Sequence, residues 1–144
     1  MHDMTPASSF VEGVLETSLY ARDLAKTAAF YREILGLRIL LDTPRLVAFD
    51  SGRQSVLLVF QRGATETDIT DARGTIPGHD GAGRLHFALA IAAEDLDVWR
   101  VRLARSGVVL TGEYRWPAGG TSLYFSDPDG AAVELATPGM WATR

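Results

Sequence analysis

The fold is decided by the stretch Asp23-Leu-Ala-Lys-Thr-Ala-Ala-Phe-Tyr-Arg-Glu-Ile-Leu-Gly36. This stretch has the pattern of a helix, and the segments on both sides of it have the pattern of strands. Alternation in residues 13–21 predicts one strand before it, and the runs 37–41, 46–50 and 55–60 predict three strands after it. Asp23 can cap the start of the helix, and Gly36 stands where a left-handed cap would end it. The apolar stripe of an amphipathic helix recurs at spacings of four, three and four residues, at Leu24, Ala28, Tyr31 and Leu35.

The same order of elements returns in the second half of the chain. Setting Leu19 on Leu89 brings Gly36 within one residue of Gly107. Asp95 can cap a second helix, and strand character is found in residues 85–92, 108–110, 122–125 and 131–136. This internal repeat predicts an α+β fold of two tandem βαβββ modules. We expect one helix packed on each sheet, and sheets that enclose a cleft.

The boundaries of these units follow from the same patterns. Residues 63–83 carry five glycines and one proline, which predicts a linker or mobile loop between the modules. The first module is then residues 10–62 and the second is residues 84–137. Residues 1–9 are expected to form a mobile N-terminal tail, and residues 138–144 a C-terminal tail.

Composition excludes several classes of function. The 144 residues are 47% hydrophobic and 22% charged, as in an ordinary globular protein. A net charge of −4 argues against nucleic acid as a partner, and the absence of a long apolar run argues against a membrane span. The chain has no cysteine, which excludes disulfides, thiolate metal sites and a cysteine nucleophile. We therefore expect a cytoplasmic protein whose partner is a small molecule.

Three polar side chains are expected to converge in the cleft from three strands. Strand parity turns the neighbouring apolar residues toward the helices and leaves Glu16, His86 and Glu134 facing the cleft. Two carboxylates close together repel, and an unpartnered interior carboxylate costs on the order of several kcal/mol. A divalent cation such as iron, manganese, nickel or zinc removes both costs. The alternative is a polar cleft in which these groups form hydrogen bonds without a metal.

Other candidates surround this set. Tyr124 is expected opposite Glu134 across the turn Asp127-Pro-Asp-Gly130, where its hydroxyl could assist proton transfer. Arg84 and Arg115 could clamp a substrate carboxylate, although most arginines are surface residues. A loop histidine, His79, could close over the site. The side chains expected to line the pocket and set its shape are Tyr20, Tyr114 and Trp116.

At these residues the sequence resembles the vicinal oxygen chelate superfamily, which includes glyoxalases, extradiol dioxygenases, fosfomycin-modifying transferases and bleomycin-resistance proteins. The resemblance covers about residues 14–137. It rests on Glu16-Thr-Ser-Leu-Tyr-Ala-Arg-Asp-Leu24, Ala29-Phe-Tyr-Arg-Glu-Ile-Leu-Gly-Leu37, Leu85-His-Phe-Ala-Leu89, and Ser122-Leu-Tyr-Phe-Ser-Asp-Pro-Asp-Gly130 with Val133-Glu-Leu135. It implies paired modules and a metal held at the positions of Glu16, His86 and Glu134.

The sequence departs from the enzymes of that superfamily at two positions. Glu16 stands where histidine or glutamine is usual, which shifts the preference toward harder cations. Leu58 stands where the lactoylglutathione lyases have a fourth, glutamate ligand, which argues against that activity. Tyr124 fits a tyrosine that the extradiol dioxygenases have ten residues before their glutamate ligand, but a second catalytic histidine is not evident.

These observations predict a small metal-dependent enzyme, dioxygenase-like or lyase-like, that chelates a small oxygen-bearing substrate. The alternative is a metal-free binding protein of the bleomycin-resistance type, which would sequester its ligand without chemistry. A third reading is a degenerate interaction module. Family analogy alone also suggests a homodimer.

Overall fold

The computed structural model describes residues 10–143. It contains two four-stranded sheets, one from each half of the chain. The first half contains β1 (Glu16–Ala21), α1 (Leu24–Glu33), β2 (Arg38–Asp42), β3 (Leu46–Gly52) and β4 (Ser55–Gln61). A hairpin of β5 (Ile69–Asp71) and β6 (Gly74–Ile76) follows. The second half contains β7 (His86–Ala90), α2 (Leu96–Arg105), β8 (Gly112–Arg115), β9 (Thr121–Ser126) and β10 (Ala132–Ala136).

The two sheets have the same topology. Their strand orders are β1-β4-β3-β2 and β7-β10-β9-β8, and in each the first strand pairs with the last in parallel while the other pairs are antiparallel. Strands β1 and β7 therefore occupy equivalent edges of their sheets. Each module carries one helix, so the expected α+β fold of two βαβββ modules is confirmed.

Helix α1 packs against both modules. Asp23 caps its start, as expected, by accepting a hydrogen bond from the backbone of Lys26. The ring of Tyr31 lies 6.0 Å from that of Phe49 in the first sheet and 6.1 Å from that of Phe87 in the second. These contacts belong to one hydrophobic core that draws on the helix-facing sides of both sheets.

A buried hydrogen bond joins α1 to the turn that follows β9. The Tyr31 hydroxyl donates to Asp127 Oδ2 at 2.7 Å, and burial together with this carboxylate raises the pKa of Tyr31. The other oxygen of Asp127 accepts the backbone N–H groups of Asp129 and Ala131, at 2.9 and 3.0 Å. The aspartate thus organises its own turn and ties that turn to the first module.

Three expectations about the elements need correction or completion. The strand expected at residues 108–110 is absent, and β8 lies instead at Gly112–Arg115, an exposed edge strand that needs no apolar run. A short 3-10 turn, Ala93–Asp95, precedes α2, so the Asp95 side chain makes no capping hydrogen bond. Residues 63–83, which we expected to form a linker or loop, contain the β5–β6 hairpin. The tail expected at residues 1–9 lies outside the described residues, and no helix of residues 10–143 is long and apolar enough to cross a membrane.

Candidate functional site

Glu134 is a buried carboxylate in the middle of the second sheet. It lies on β10, paired with Ala88 of β7 on one side and with Tyr124 of β9 on the other, as strand parity predicts for Tyr124. The residue is only 4% exposed. A charge at such a depth requires hydrogen-bond or ionic partners, because burial without them is costly.

Both oxygens of Glu134 have partners. Oε2 accepts a hydrogen bond from the hydroxyl of Ser122, which is itself fully buried and accepts a 2.8 Å bond from Trp116 Nε1. Oε1 lies 3.2 Å from Nε2 of His86, whose side chain is 52% exposed. The carboxylate therefore turns one oxygen into the protein and the other toward the surface, where the imidazole edge lies.

The other ring nitrogen of His86 is also engaged. Nδ1 lies 2.8 Å from the carbonyl oxygen of Ala132, and a carbonyl can only accept, so Nδ1 carries a proton. In the neutral ring this leaves the lone pair on Nε2, beside Glu134 Oε1. A backbone carbonyl that orients a histidine in this way is typical of metal-ligating imidazoles. His86 and Glu134 together present one nitrogen and one oxygen donor that fit a divalent cation.

Tyr124 forms one wall of this site. Its ring centroid lies 6.3 Å from that of His86. Partial burial, together with the negative charge of Glu134, raises the pKa of the Tyr124 hydroxyl above its ordinary value. The hydroxyl therefore keeps its proton at neutral pH and can donate a hydrogen bond to a bound group.

Small side chains leave space beside these groups. Ala88 and Ala90 are exposed on the same face of β7 as His86. A groove of about 710 Å³ opens next to them, and its lining includes Ala136 and, near the C-terminus, Met140 and Trp141. A small molecule bound in this groove would lie next to the Glu134 strand.

Glu16 does not join the pair within one chain. It is an exposed residue of β1 in the first sheet, where its partner is Val56. Among residues 10–143 no group of three His, Asp or Glu side chains is placed to hold a metal ion. Of the three residues expected to converge, the single chain brings together two.

The remaining predicted residues have different surroundings. Tyr20 lies on the same face of β1 as Glu16, and its hydroxyl is 2.7 Å from Nδ1 of His79, so the loop histidine folds onto the first sheet. Trp116 is half-buried and Tyr114 exposed, with ring centroids 4.7 Å apart. Arg84 and Arg115 are exposed, and neither has an ion-pair partner among residues 10–143.

Ser122 is the site residue that sequence reasoning missed. It alternates with Leu123 on β9 and therefore shares a face with Tyr124 and Glu134, so strand parity could have placed it there. Its role as a partner of the carboxylate depends on side-chain directions that parity does not give.

A family model described as the glyoxalase/bleomycin resistance protein/dioxygenase superfamily matches residues 13–135. The chain belongs to this superfamily. Its expected resemblance to the vicinal oxygen chelate proteins is thereby confirmed.

Members of the superfamily with known names and structures resemble the chain over most of its length. A metallothiol transferase, FosB, from Bacillus licheniformis is 35% identical over 80% of this chain and 68% of its own. A crystal structure of a lactoylglutathione lyase from Agrobacterium tumefaciens is 33% identical, with a TM-score of 0.84 over 94% of this chain and 100% of the other.

A second solved structure of similar fold contains a metal. It is a mutant of the fosfomycin resistance protein FosX from Listeria monocytogenes, complexed with Mn(II) and 1S,2S-dihydroxypropylphosphonic acid. It is 22% identical to this chain, with a TM-score of 0.63 over 88% of this chain and 90% of the other, a likeness of fold.

Proposed function

We propose that the chain is a divalent-metal-dependent enzyme that acts on a small oxygen-bearing substrate. The observation that carries the proposal is the pairing of the buried Glu134 carboxylate with the outward-facing Nε2 of His86, 3.2 Å apart. Their mixed nitrogen and oxygen donors suit manganese, iron, nickel or zinc. When bound, the ion would supply Lewis-acid stabilisation of negative charge on the substrate oxygens.

We propose further that Glu16 of a second copy completes the donor set. Among residues 10–143, β1 and β7 are both edge strands, and neither pairs with another strand along its outer side. Glu16 and His86, which occupy equivalent positions on these edges, are both exposed. A twofold dimer that sets β1 of one copy beside β7 of the other would bring a Glu16 to each His86–Glu134 pair, giving two sites per dimer.

The rest of the face would bind and orient the substrate. The space beside Ala88 and Ala90 would admit it, and the groove about 710 Å³ in volume would hold its distal part. The Tyr124 hydroxyl, which carries its proton at neutral pH, would donate a hydrogen bond to the reacting oxygen. The side chains of Tyr114 and Trp116 would form one wall of the pocket, and Arg84 and Arg115 could attract an anionic group.

A mixing experiment tests both the metal site and its sharing between copies. Glu16→Ala and His86→Ala each abolish metal binding when the variants are measured alone by titration calorimetry with Mn(II). Unfolded together and refolded as a mixture, they regain binding, because a mixed dimer holds one intact site. Glu12→Ala, a change at another exposed acid, should bind like the unaltered protein.

The outcomes of this experiment separate the candidate functions. If the mixture binds nothing although each variant dimerises, the shared site is wrong. If the unaltered protein binds no iron, manganese, nickel or zinc, the enzyme proposal fails. The second candidate, a metal-free ligand trap, would then be preferred, since among residues 10–143 a single chain brings together only two of the three expected donors.

A further inference from the structure

A chain of hydrogen bonds links the buried carboxylate of Glu134, through Ser122, to the half-buried indole of Trp116. Trp116 Nε1 lies 2.8 Å from Ser122 Oγ, and the Ser122 hydroxyl contacts Glu134 Oε2. Ser122 is fully buried, and Glu134 nearly so. Water is therefore not available to replace the bond between Ser122 and Glu134.

The direction of each hydrogen bond in this chain is fixed by chemistry. The indole N–H of Trp116 can only donate, so the Ser122 oxygen accepts from it. The single hydroxyl proton of Ser122 then points to Glu134 Oε2. His86 is fixed in a similar way, because its Nδ1 faces a carbonyl that can only accept. The two atoms left for a metal are Oε1 of Glu134 and Nε2 of His86.

We propose that Ser122 and Trp116 are positioning residues that determine which oxygen of Glu134 binds the metal, an inference that rests on the proposed function. By occupying Oε2, Ser122 holds the carboxylate so that it binds through Oε1 alone. Trp116 acts through Ser122, because its N–H donor excludes the orientation in which the Ser122 hydroxyl proton points toward the indole. Neither residue touches the ion.

The backbone around Trp116 supports a fixed position for the indole. The turn between β8 and β9 is closed by a 2.9 Å bond from Trp116 N–H to the Gly120 carbonyl, and by a 3.0 Å bond from Gly119 N–H to the Trp116 carbonyl. Gly120 has a φ of +88°, and a Cβ there would lie 2.8 Å from the carbonyl oxygen of Pro138. The turn is thus packed closely against the segment after β10.

Four variants of the full-length chain test this inference, with Mn(II) alone as the titrant. Ser122→Ala should weaken metal binding by about 10- to 100-fold, the usual effect of losing a partner of a metal ligand. Trp116→Phe should weaken it less. Because Trp116 acts only through Ser122, the double variant should bind like Ser122→Ala. Ser126→Ala, an exposed change on the same strand, should have no effect.

A second measurement examines the hydrogen-bond chain without metal. In the unaltered protein the indole N–H of Trp116 should exchange slowly with solvent in NMR spectra, and Ser122→Ala should accelerate this exchange. If Ser122→Ala does not fold, Trp116→Phe still tests the positioning role through its metal affinity. Fast indole exchange in the unaltered protein would contradict the bond that this role requires.

The outcomes distinguish this inference from the proposed function. If Glu134→Gln loses the metal while Ser122→Ala keeps full affinity, the positioning role is overturned and the metal site stands. Additive losses in the double variant would mean that Trp116 acts independently of Ser122, which also overturns it. If the unaltered protein binds no metal, the proposed function fails and this inference fails with it.

Discussion

The two modules share topology and register, but their open faces are built from side chains of opposite character. In the first sheet, Ser18 on β1 stands opposite Leu58 on β4, and the next pair along the face is Tyr20 and Phe60. The equivalent pairs in the second sheet are Ala88 with Glu134 and Ala90 with Ala136. One face is filled by large apolar and aromatic groups, and the other is hollow around a carboxylate.

This difference shows which property of the fold is repeated and which is not. Repetition supplies two edge strands with equivalent positions for Glu16 and His86. Only the second module adds a central acid, because Leu58 occupies the equivalent place in the first. Small side chains around that acid provide the space for a ligand, so each pair of faces would yield one site rather than two.

The helices differ as well. Helix α1 buries five residues, including the aromatic pair Phe30 and Tyr31, whereas α2 buries only Leu103. Tyr31 of α1 contacts Phe49 in the first sheet and Phe87 in the second, so the first module supplies the helix that joins the modules. The buried polar network of the candidate site lies in the second module.

The largest effect is expected when the central acid of the second sheet is replaced by the residue found at the equivalent position of the first sheet. Glu134→Leu places a leucine where the first module has Leu58, and we expect metal binding to become undetectable by calorimetry because one of its donors is lost. The free energy of unfolding should change by less than about 2 kcal/mol, since relief of a buried charge offsets the lost Ser122 bond. Retained metal binding would remove Glu134 from the donor set, and Glu94→Leu, at an exposed position, serves as the control.

Cutting the link between α1 and the second module should have the next largest effect. Tyr31→Phe removes the buried 2.7 Å bond to Asp127 and should lower the free energy of unfolding by about 1–3 kcal/mol. Urea denaturation should show this as a lower midpoint with an unchanged slope. Tyr114→Phe, which removes an exposed hydroxyl, should change stability by less than about 0.5 kcal/mol.

The pH dependence of Tyr31→Phe identifies the origin of its effect. Burial and Asp127 raise the pKa of Tyr31 in the folded protein, whereas in the unfolded chain the phenol titrates at about 10. The unfolded state therefore loses this proton first, and the stabilisation is complete below pH of about 10 and decreases above it. The stability difference between the two proteins should shrink between pH of about 10 and 11, and a constant difference would contradict this origin.

The fold could be predicted from sequence because period-two alternation and the short Asp127–Gly130 turn fix both the faces and the register. Tyr124 stands opposite Glu134 for that reason. Sequence patterning does not locate edge strand β8, because an exposed edge needs no apolar residues, while Val108 and Leu110 pack against the core from a connecting segment. The expected convergence of Glu16 with His86 and Glu134, which the single chain does not show, depends on how sheet edges meet, and alternation along one chain does not encode this.

Residues 63–83 cover the open face of the first sheet, where His79 and Gly81 contact Tyr20. Disturbing this contact should have a smaller effect. Gly81 packs on Tyr20, and an added Cβ would lie 2.5 Å from the ring, which is itself stacked on Phe60. Gly81→Ala should therefore displace His79 and cost about 1–3 kcal/mol in unfolding free energy. Hydrogen exchange should show reduced protection in residues 63–83, whereas Ala82→Ser, at an exposed neighbour, should not. Unchanged protection would mean that the loop does not depend on this contact.

The exposed ion pair between the modules should matter least. Arg22 Nε lies 3.2 Å from Asp129 Oδ1, but the backbone N–H of Arg22 donates to the same oxygen at 2.9 Å. Arg22→Ala removes only the screened charge and should cost less than about 0.5 kcal/mol, a cost that disappears in high salt. Asp129→Ala removes the backbone bond as well and should cost about 1–2 kcal/mol, most of which should remain in high salt. Equal effects in urea denaturation would mean that surface charge, rather than the hydrogen bond from the Arg22 backbone, holds the turn after β9 against the first module.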